Sequence, residues 1–258
     1  MSNQVPAWQG PILDNHFHLN RNGRYLDAAH DFKRAGGTNI VLIHCPDFAS
    51  PPTTKEGHRA AYQNTIAMAE SVRSELDLHV RVVLGPHPAA FAHQFIAWVE
   101  QDGAKGKNRA IENYRDSIDE AVKFYHEGKA HAIGEVGRPH WEVSQEIWDL
   151  SNDLLCETMS LAANDGFALQ LHVEGEREST YRDMAAMAEK SGLQKDRLIR
   201  HYSPPNVEAK ITQGLTPSVL AGKGALATLL ATAEQCSHGF MLETDYMDDL
   251  RRPGAVLG

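Results

Sequence analysis

The sequence predicts an α/β protein built as a (β/α)8 TIM barrel, and three observations carry that prediction. Short apolar runs rich in β-branched residues alternate with longer stretches of helical periodicity along the chain. Its 258 residues match the roughly 250 that such barrels typically need. No G-x-G-x-x-G follows the first run, so the dinucleotide signature common in open, doubly wound sheets is missing. Residues 1–258 therefore read as one barrel domain.

In chain order the expected strands are Pro11–His18, Thr38–Cys45, Leu78–His87, Ala130–Val136, Ala168–Val173, Arg197–Tyr202, a weak one at Pro217–Leu220, and Phe240–Asp245. Expected helices are Arg24–Ala35, Gly57–Ser74, Ala90–Gln101, Ile111–Glu127, Val143–Asn164, Glu178–Ser191, Asn206–Gln213 and Ala225–Cys236. In the fifth, Ile147, Leu150, Leu154, Leu161 and Ala162 recur at helical spacing and Gly166 supplies the stop. The stretch Lys105–Arg109 reads most simply as a solvated loop, or as a lid over a phosphate-bearing substrate. Strands alternating with helices imply a parallel sheet with right-handed crossovers. After Asp245 only 13 residues remain, with Pro253 and Gly254 among them, so the last helix is expected to be missing or irregular.

Composition excludes several classes. With 42% hydrophobic and 23% charged residues the chain is neither disordered nor fibrous. Its longest apolar runs fall far short of the roughly 20 residues that span a bilayer, and the segment M-S-N-Q-V-P-A-W lacks the character of a secretory signal. Cys45, Cys156 and Cys236 form neither a disulfide framework nor a C-x-x-C knuckle, so a reduced, cytoplasmic setting is expected. Against 25 basic side chains stand 34 acidic ones, a net charge of −9. That balance disfavours an extended nucleic-acid footprint, whose affinity comes from Lys and Arg neutralising phosphates. It leaves room for a small-molecule or nucleotide-like anionic substrate, and it leaves a homo-oligomer open.

Fourteen histidines outnumber the tyrosines, the phenylalanines and the tryptophans. In a parallel barrel the carboxyl ends of the strands share one rim, where sites are built. Reading those ends in order gives His16 and His18, His44, His87, Glu135, His172, His201 and Asp245. His16 and His18 are two apart on a strand and so face the same side. Buried there, two imidazoles need hydrogen bonds or a metal. Imidazole and carboxylate donors without thiolate suit Zn, Mn, Mg or Fe. Six of them, His16, His18, Glu135, His172, His201 and Asp245, exceed what one tetrahedral ion needs, whereas two divalent ions about 3.5–4 Å apart would use them all. Glu243 is expected on the opposite side of its strand from Asp245.

The ordered series D-N-H-F-H, G-P-H-P, I-G-E-V-G, L-H-V, I-R-H-Y-S and L-E-T-D resembles the TatD-type metal-dependent hydrolases of the amidohydrolase superfamily, from residue 12 to about residue 246. The resemblance implies a (β/α)8 barrel, up to two divalent metals and hydrolysis of phosphodiester or related bonds. It assigns His16, His18 and Asp245 to the first metal, Glu135 as the bridge, and His172 and His201 to the second. Two loops depart from the family pattern: Arg138, Pro139 and His140 follow the fourth strand, and Tyr202, Ser203, Pro204 and Pro205 the sixth.

His87, Arg138 and His44 are weighed as substrate or supporting contacts, with Arg138 read as an anion clamp or a surface ion pair. The leading expectation is a metal-dependent hydrolase that activates water, with Asp245 as its proton acceptor and phosphoester bonds as its targets. Hydrolysis of an amide, lactone or aminoacyl ester at the same centre is the first alternative. A metal-stabilised barrel that binds without catalysis is the second.

Overall fold

In the computed structural model, which describes residues 8–175, 178–249 and 252–253, the eight apolar runs form eight strands. These are β1 (Leu13–Phe17), β2 (Asn39–Ile43), β3 (His79–Leu84), β4 (Ala132–Gly137), β5 (Leu169–His172), β6 (Leu198–Ser203), β7 (Thr216–Leu220) and β8 (Met241–Glu243). All neighbours pair in parallel, in sequence order from β1 to β8. A parallel bridge between Phe17 and Tyr246 and the bond from His18 N to Tyr246 O (2.9 Å) draw the last strand toward the first. The predicted (β/α)8 barrel is the fold observed.

The helices are α1 (Leu26–Arg34), α2 (Lys55–Leu76), α3 (Pro88–Asp102), α4 (Ala104–His126), α5 (Gln145–Asp165), α6 (Glu178–Ser191), α7 (Ala209–Thr212) and α8 (Leu226–Gln235). Their ends follow local chemistry. Thr54 caps α2 by accepting from Gly57 N at 3.1 Å, Ser144 caps α5, and Gly166 ends α5 in the left-handed region at φ 81°. The stretch Lys105–Arg109 is not a loop but the first turns of α4, where Arg109 lies over the Trp98 ring at 4.0 Å. Stacking of the Arg109 side chain on that indole favours continued helix over an open turn.

Between β3 and β4 lie two helices, and among the described residues none follows β8. The chain there forms only a small antiparallel pair, β9 (Asp248–Asp249) with β10 (Arg252–Pro253). The expectation of a missing or irregular last helix falls partly on residues 250–251 and 254–258, which, with Gly254 among them and with the segment 1–7, lie outside the described residues.

The main core runs between sheet and helices, from Phe17, Leu42 and Leu84 on the strands to Tyr62, Phe124, Leu155 and Met184 on the helices.

Candidate metal centre

At the ends of these strands the polar side chains turn inward and meet. His16 is fully buried and His18 nearly so, with their Nε2 atoms 3.1 Å apart. Glu135 sits among the imidazoles. Its Oε1 lies 2.8 Å from His172 Nδ1 and 3.5 Å from both His16 Nε2 and His201 Nε2. Its Oε2 lies 3.8 Å from His87 Nε2 and 3.9 Å from His18 Nε2. Asp245 Oδ1 lies 4.0 Å from His16 Nε2, and the His16 and His201 rings stack with centroids 3.8 Å apart.

Local sequence explains how Glu135 gets there. β4 reads A-I-G-E-V-G, and its register against β5 shifts between Gly134 and Val136, which re-aims the intervening side chain. A methyl group on Gly134 would meet Gln170, and one on Gly137 would collide with the His172 carbonyl. Only glycine lets β4 approach β5 closely on both sides of Glu135.

His87 owes its place to G-P-H-P. With Pro88 opening α3, the His87 side chain acts as cap, its Nδ1 accepting from Ala89 N at 3.0 Å. That leaves Nε2 facing Glu135.

The remote nitrogens fix the rings. His18 Nδ1 donates to the Ile43 carbonyl (3.1 Å) and His201 Nδ1 to Glu243 Oε1 (2.9 Å), so each turns Nε2 into the centre. This arrangement, an outer acceptor holding the ring of a metal-ligating histidine, is how proteins orient such ligands. His172 presents Nδ1 to Glu135 and Nε2 to His140 Nδ1 at 2.9 Å, and His16 Nδ1 meets Gln170 Nε2 at 3.0 Å.

Three groups have donor atoms close enough together for one ion: His16, His18 and Glu135; His87, Glu135 and His172; and His16, His201 and Asp245. Two of them share Glu135, as a bridging carboxylate would. The donor set, all imidazole and carboxylate, fits divalent cations of the zinc and manganese type.

The electrostatics follow from burial and crowding. Burial would raise Glu135, but His16, His172 and His87 hold its carboxyl well below the ordinary range. Burial, with His201 beside it, lowers His16 well below the usual histidine value. Burial, against the pull of Glu135 and with His172, His18 and His201 adding to it, pushes His87 down to about 3. Burial would lower His201 too, yet Glu243, by charge and hydrogen bond, carries it up to about 9. Asp245 is raised by burial against the pull of His201 and His18. Asp14, raised to about 6 by burial, ties the first strand to the last: its carboxylate accepts from His16 N (3.1 Å), Thr244 N (3.0 Å) and the Thr244 hydroxyl (2.5 Å).

All six sequence-assigned ligand positions converge. His87 joins them closely, within one of the three groups. His44 stands behind: it is buried, its Nδ1 bonds Thr65 Oγ1 at 2.8 Å, and it belongs to none of the three groups. Arg138 is buried, not on the surface. Its guanidinium is committed to Glu174 (2.8 Å), Asp183 (3.1 Å) and Asn152 (3.2 Å), and it lies 4.4 Å from the Trp148 ring. A substrate would reach it only by displacing one of these partners.

Sequence reasoning missed three groups. Glu243 does not face away: it is 1% exposed and accepts from both His201 Nδ1 and Tyr202 N. Its spacing of two residues from Asp245 would put both on one side of an extended chain, a signal present in the pattern, although β8 ends at Glu243 and Asp245 has φ 49°. His140 and Gln170 carried no such signal, because each acts through a strand or loop distant in sequence.

A sequence model of the family described as TatD-related DNase matches residues 13–257. The chain belongs to that family. As a TatD-family protein it is a hydrolase by class. It is 30% identical over 251 residues to an uncharacterized protein of Methanocaldococcus jannaschii, covering 96% of this chain and 83% of the other. Among solved structures it is similar in fold to a TatD-like protein from Archaeoglobus fulgidus, with TM-score 0.61 and 16% identity over 91% of this chain and 85% of that one. It is also similar in fold to a TatD-family hydrolase from Entamoeba histolytica, with TM-score 0.54 and 13% identity over 91% and 74% of the two chains. An uncharacterized amidohydrolase from Saccharomyces cerevisiae shares the fold at TM-score 0.59 and 15% identity, over 95% and 78%.

Proposed function

We propose that this TatD-family chain is a divalent-metal-dependent hydrolase of phosphoester bonds, acting on a small or nucleotide-like anionic substrate. The observation that carries the reading is one buried carboxylate, Glu135, within 4 Å of five imidazoles at the strand ends. Carboxylate and imidazole so crowded, with outer nitrogens pinned by Ile43 O and Glu243, are ligands held in advance of a cation. His16, His18 and Asp245 would hold one ion, Glu135 would bridge, and His172 and His201, with His87 beside them, would hold a second. When bound, such ions supply an acidified water and polarise the bond under attack.

The side chains do the rest. Asp245, raised by burial, is suited to accept the proton of the attacking water and pass it to the leaving oxygen. Glu135, kept anionic by its histidines, would serve as a ligand to the ions without taking that proton. His140, exposed and hydrogen-bonded to His172, stands where an incoming anion would meet the rim. The family description favours phosphodiesters, whereas the net charge of −9 favours a short substrate over a long nucleic acid. The reading keeps a reduced, cytoplasmic setting; no helix among the described residues is long and apolar enough to cross a membrane.

The test combines elemental analysis with hydrolysis of a phosphodiester, a phosphomonoester, an amide and an aminoacyl ester. We expect bound divalent metal and fastest turnover of the phosphodiester. Asp245→Asn should keep fold and most metal while turnover falls by about 10²–10⁴-fold. Full activity in that variant removes Asp245 from its role, and no divalent metal after reconstitution overturns the whole reading.

A further inference from the structure

At the opposite end of the barrel, where strands begin, the chain forms a hollow. A cavity of about 740 Å³ is lined by Asn39 at the start of β2, His79, Val80 and Arg81 of β3, Glu70 and Arg73 of α2, and the turn around Lys129 and His131 before β4. Its volume lies in the range of small-molecule sites, about 300–1,000 Å³. His79 and Arg81 alternate with buried residues on β3, so both point outward on the same side of the strand.

Two arginines line this cavity or its mouth without a salt bridge to a carboxylate among the described residues, although the charge of Glu70 acts on Arg73. Arg73 directs Nε and one terminal nitrogen to the same acceptor, the Val80 carbonyl, at 3.2 and 2.6 Å, leaving its other nitrogen uncommitted. The exposed Arg81 side chain makes no hydrogen bond or ion pair among them. Most arginines that pair elsewhere do so with acids: Arg24 with Asp31, Arg59 with Glu120 and Glu127, Arg115 with Glu157, Arg138 with Glu174. In a chain with more acids than bases, two guanidinium groups left to repel each other are a cost that an anion would remove. Burial lowers Arg73, Glu70 offsets part of that and the charge of Arg81 adds to it, while burial and both arginines lower His131. His131 Nδ1 accepts from Val82 N at 3.1 Å, so in its neutral form Nε2 carries the proton and is a further donor. Glu70 and Asp77 also line the cavity, which limits the excess positive charge and favours a ligand that offers donors as well as an anionic group.

We propose that this cavity binds a phosphate-bearing small molecule, its phosphate held by Arg73 and Arg81 with His131 beside them, at a site separate from the metal centre. Guanidinium pairs are the usual recognition element for phosphate, through bidentate, charge-assisted hydrogen bonds.

The test is calorimetric titration with inorganic pyrophosphate in the Glu135→Gln background, which weakens the competing metal centre; if that variant does not fold, chelator-stripped wild type takes its place. We expect saturable binding there, weakened at least tenfold by adding Arg81→Gln and weakened further by Arg73→Gln. Arg81 makes no side-chain hydrogen bond or ion pair among the described residues, so Arg81→Gln should not lower the melting temperature and separates loss of binding from loss of folding. Absence of saturable binding, or equal binding with and without Arg81, overturns the proposal. Citrate binding as tightly as pyrophosphate overturns the assignment to phosphate.

Discussion

The two flanks of the barrel are built differently. Around β2 to β5 the strands are walled by long helices with deep apolar faces: α2 buries Tyr62, Ile66, Met68, Ala69 and Val72, and α4 buries Tyr114, Ile118, Ala121 and Phe124. At β7 and β8 the cover is thin. α8 buries only Thr232, while Leu226 and Leu230 are 70% and 57% exposed. Yet the rim is complete on both sides, with Glu243 and Asp245 from the thin flank facing His87, Glu135 and His172 from the thick one, and with His16 and His18 at β1 and His201 on β6 between them. Helix packing therefore cannot be what positions the thin side. Polar staples do so: Asp14 to Thr244, His18 N to Tyr246 O, and Asp248, whose carboxylate accepts from Asn20 N (2.9 Å), Arg24 N (2.7 Å), Tyr25 N (2.8 Å) and the Tyr246 hydroxyl (3.2 Å).

The contrast can be broken at several points, and the largest loss of stability is expected on the thick flank. Phe124→Ala empties a fully buried site beneath α4 and should cost about 3–5 kcal/mol, read by denaturant unfolding. Asp248→Ala, on the thin flank, leaves three backbone N–H groups without their acceptor and should cost about 2–4 kcal/mol. Equal stability of that variant and wild type would show that helix packing closes the barrel after all.

A pH-dependent term belongs to the thick flank. Burial lowers His44 to about 3, so between that value and the ordinary histidine value near 6.5 the unfolded chain takes up a proton that the folded chain refuses. Its contribution is complete above about pH 6.5 and is lost as pH falls, amounting to roughly 2–3 kcal/mol of lost stability at pH 4.5. His44→Gln should flatten that acid limb in unfolding curves taken from pH 7 to 4.5; an unchanged slope would assign acid sensitivity elsewhere. The smallest effect is expected at Leu226→Glu, which alters an exposed side chain and should shift stability by less than about 0.5 kcal/mol. A larger loss would reveal that α8 is covered in solution.

Much of the site was readable because strand ends in a parallel barrel converge whatever their sequence separation. His16 and His18 announce a shared face by spacing, Glu135 by the glycines around it, and His172, His201 and Asp245 by standing at the ends of apolar runs. Arg138 was less readable, since its three partners come from the end of β5, α5 and α6. Lys105–Arg109 misled because two glycines and two lysines look like a turn, whereas Gly106 packs so closely on Trp98 that a methyl group there would collide with its carbonyl.

By itself the sequence determined the alternation of strand and helix and the kinds of donor at the rim, because periodicity and strand-end position are local properties. Tertiary structure decided which nitrogen of each imidazole faces the centre, that Glu243 braces His201, that Arg138 is neutralised, and that Arg73 and Arg81 share a cavity at the far end. Those outcomes depend on acceptors and charges brought together from distant segments, and the direction and charge state of a buried polar group are set by its neighbours in space.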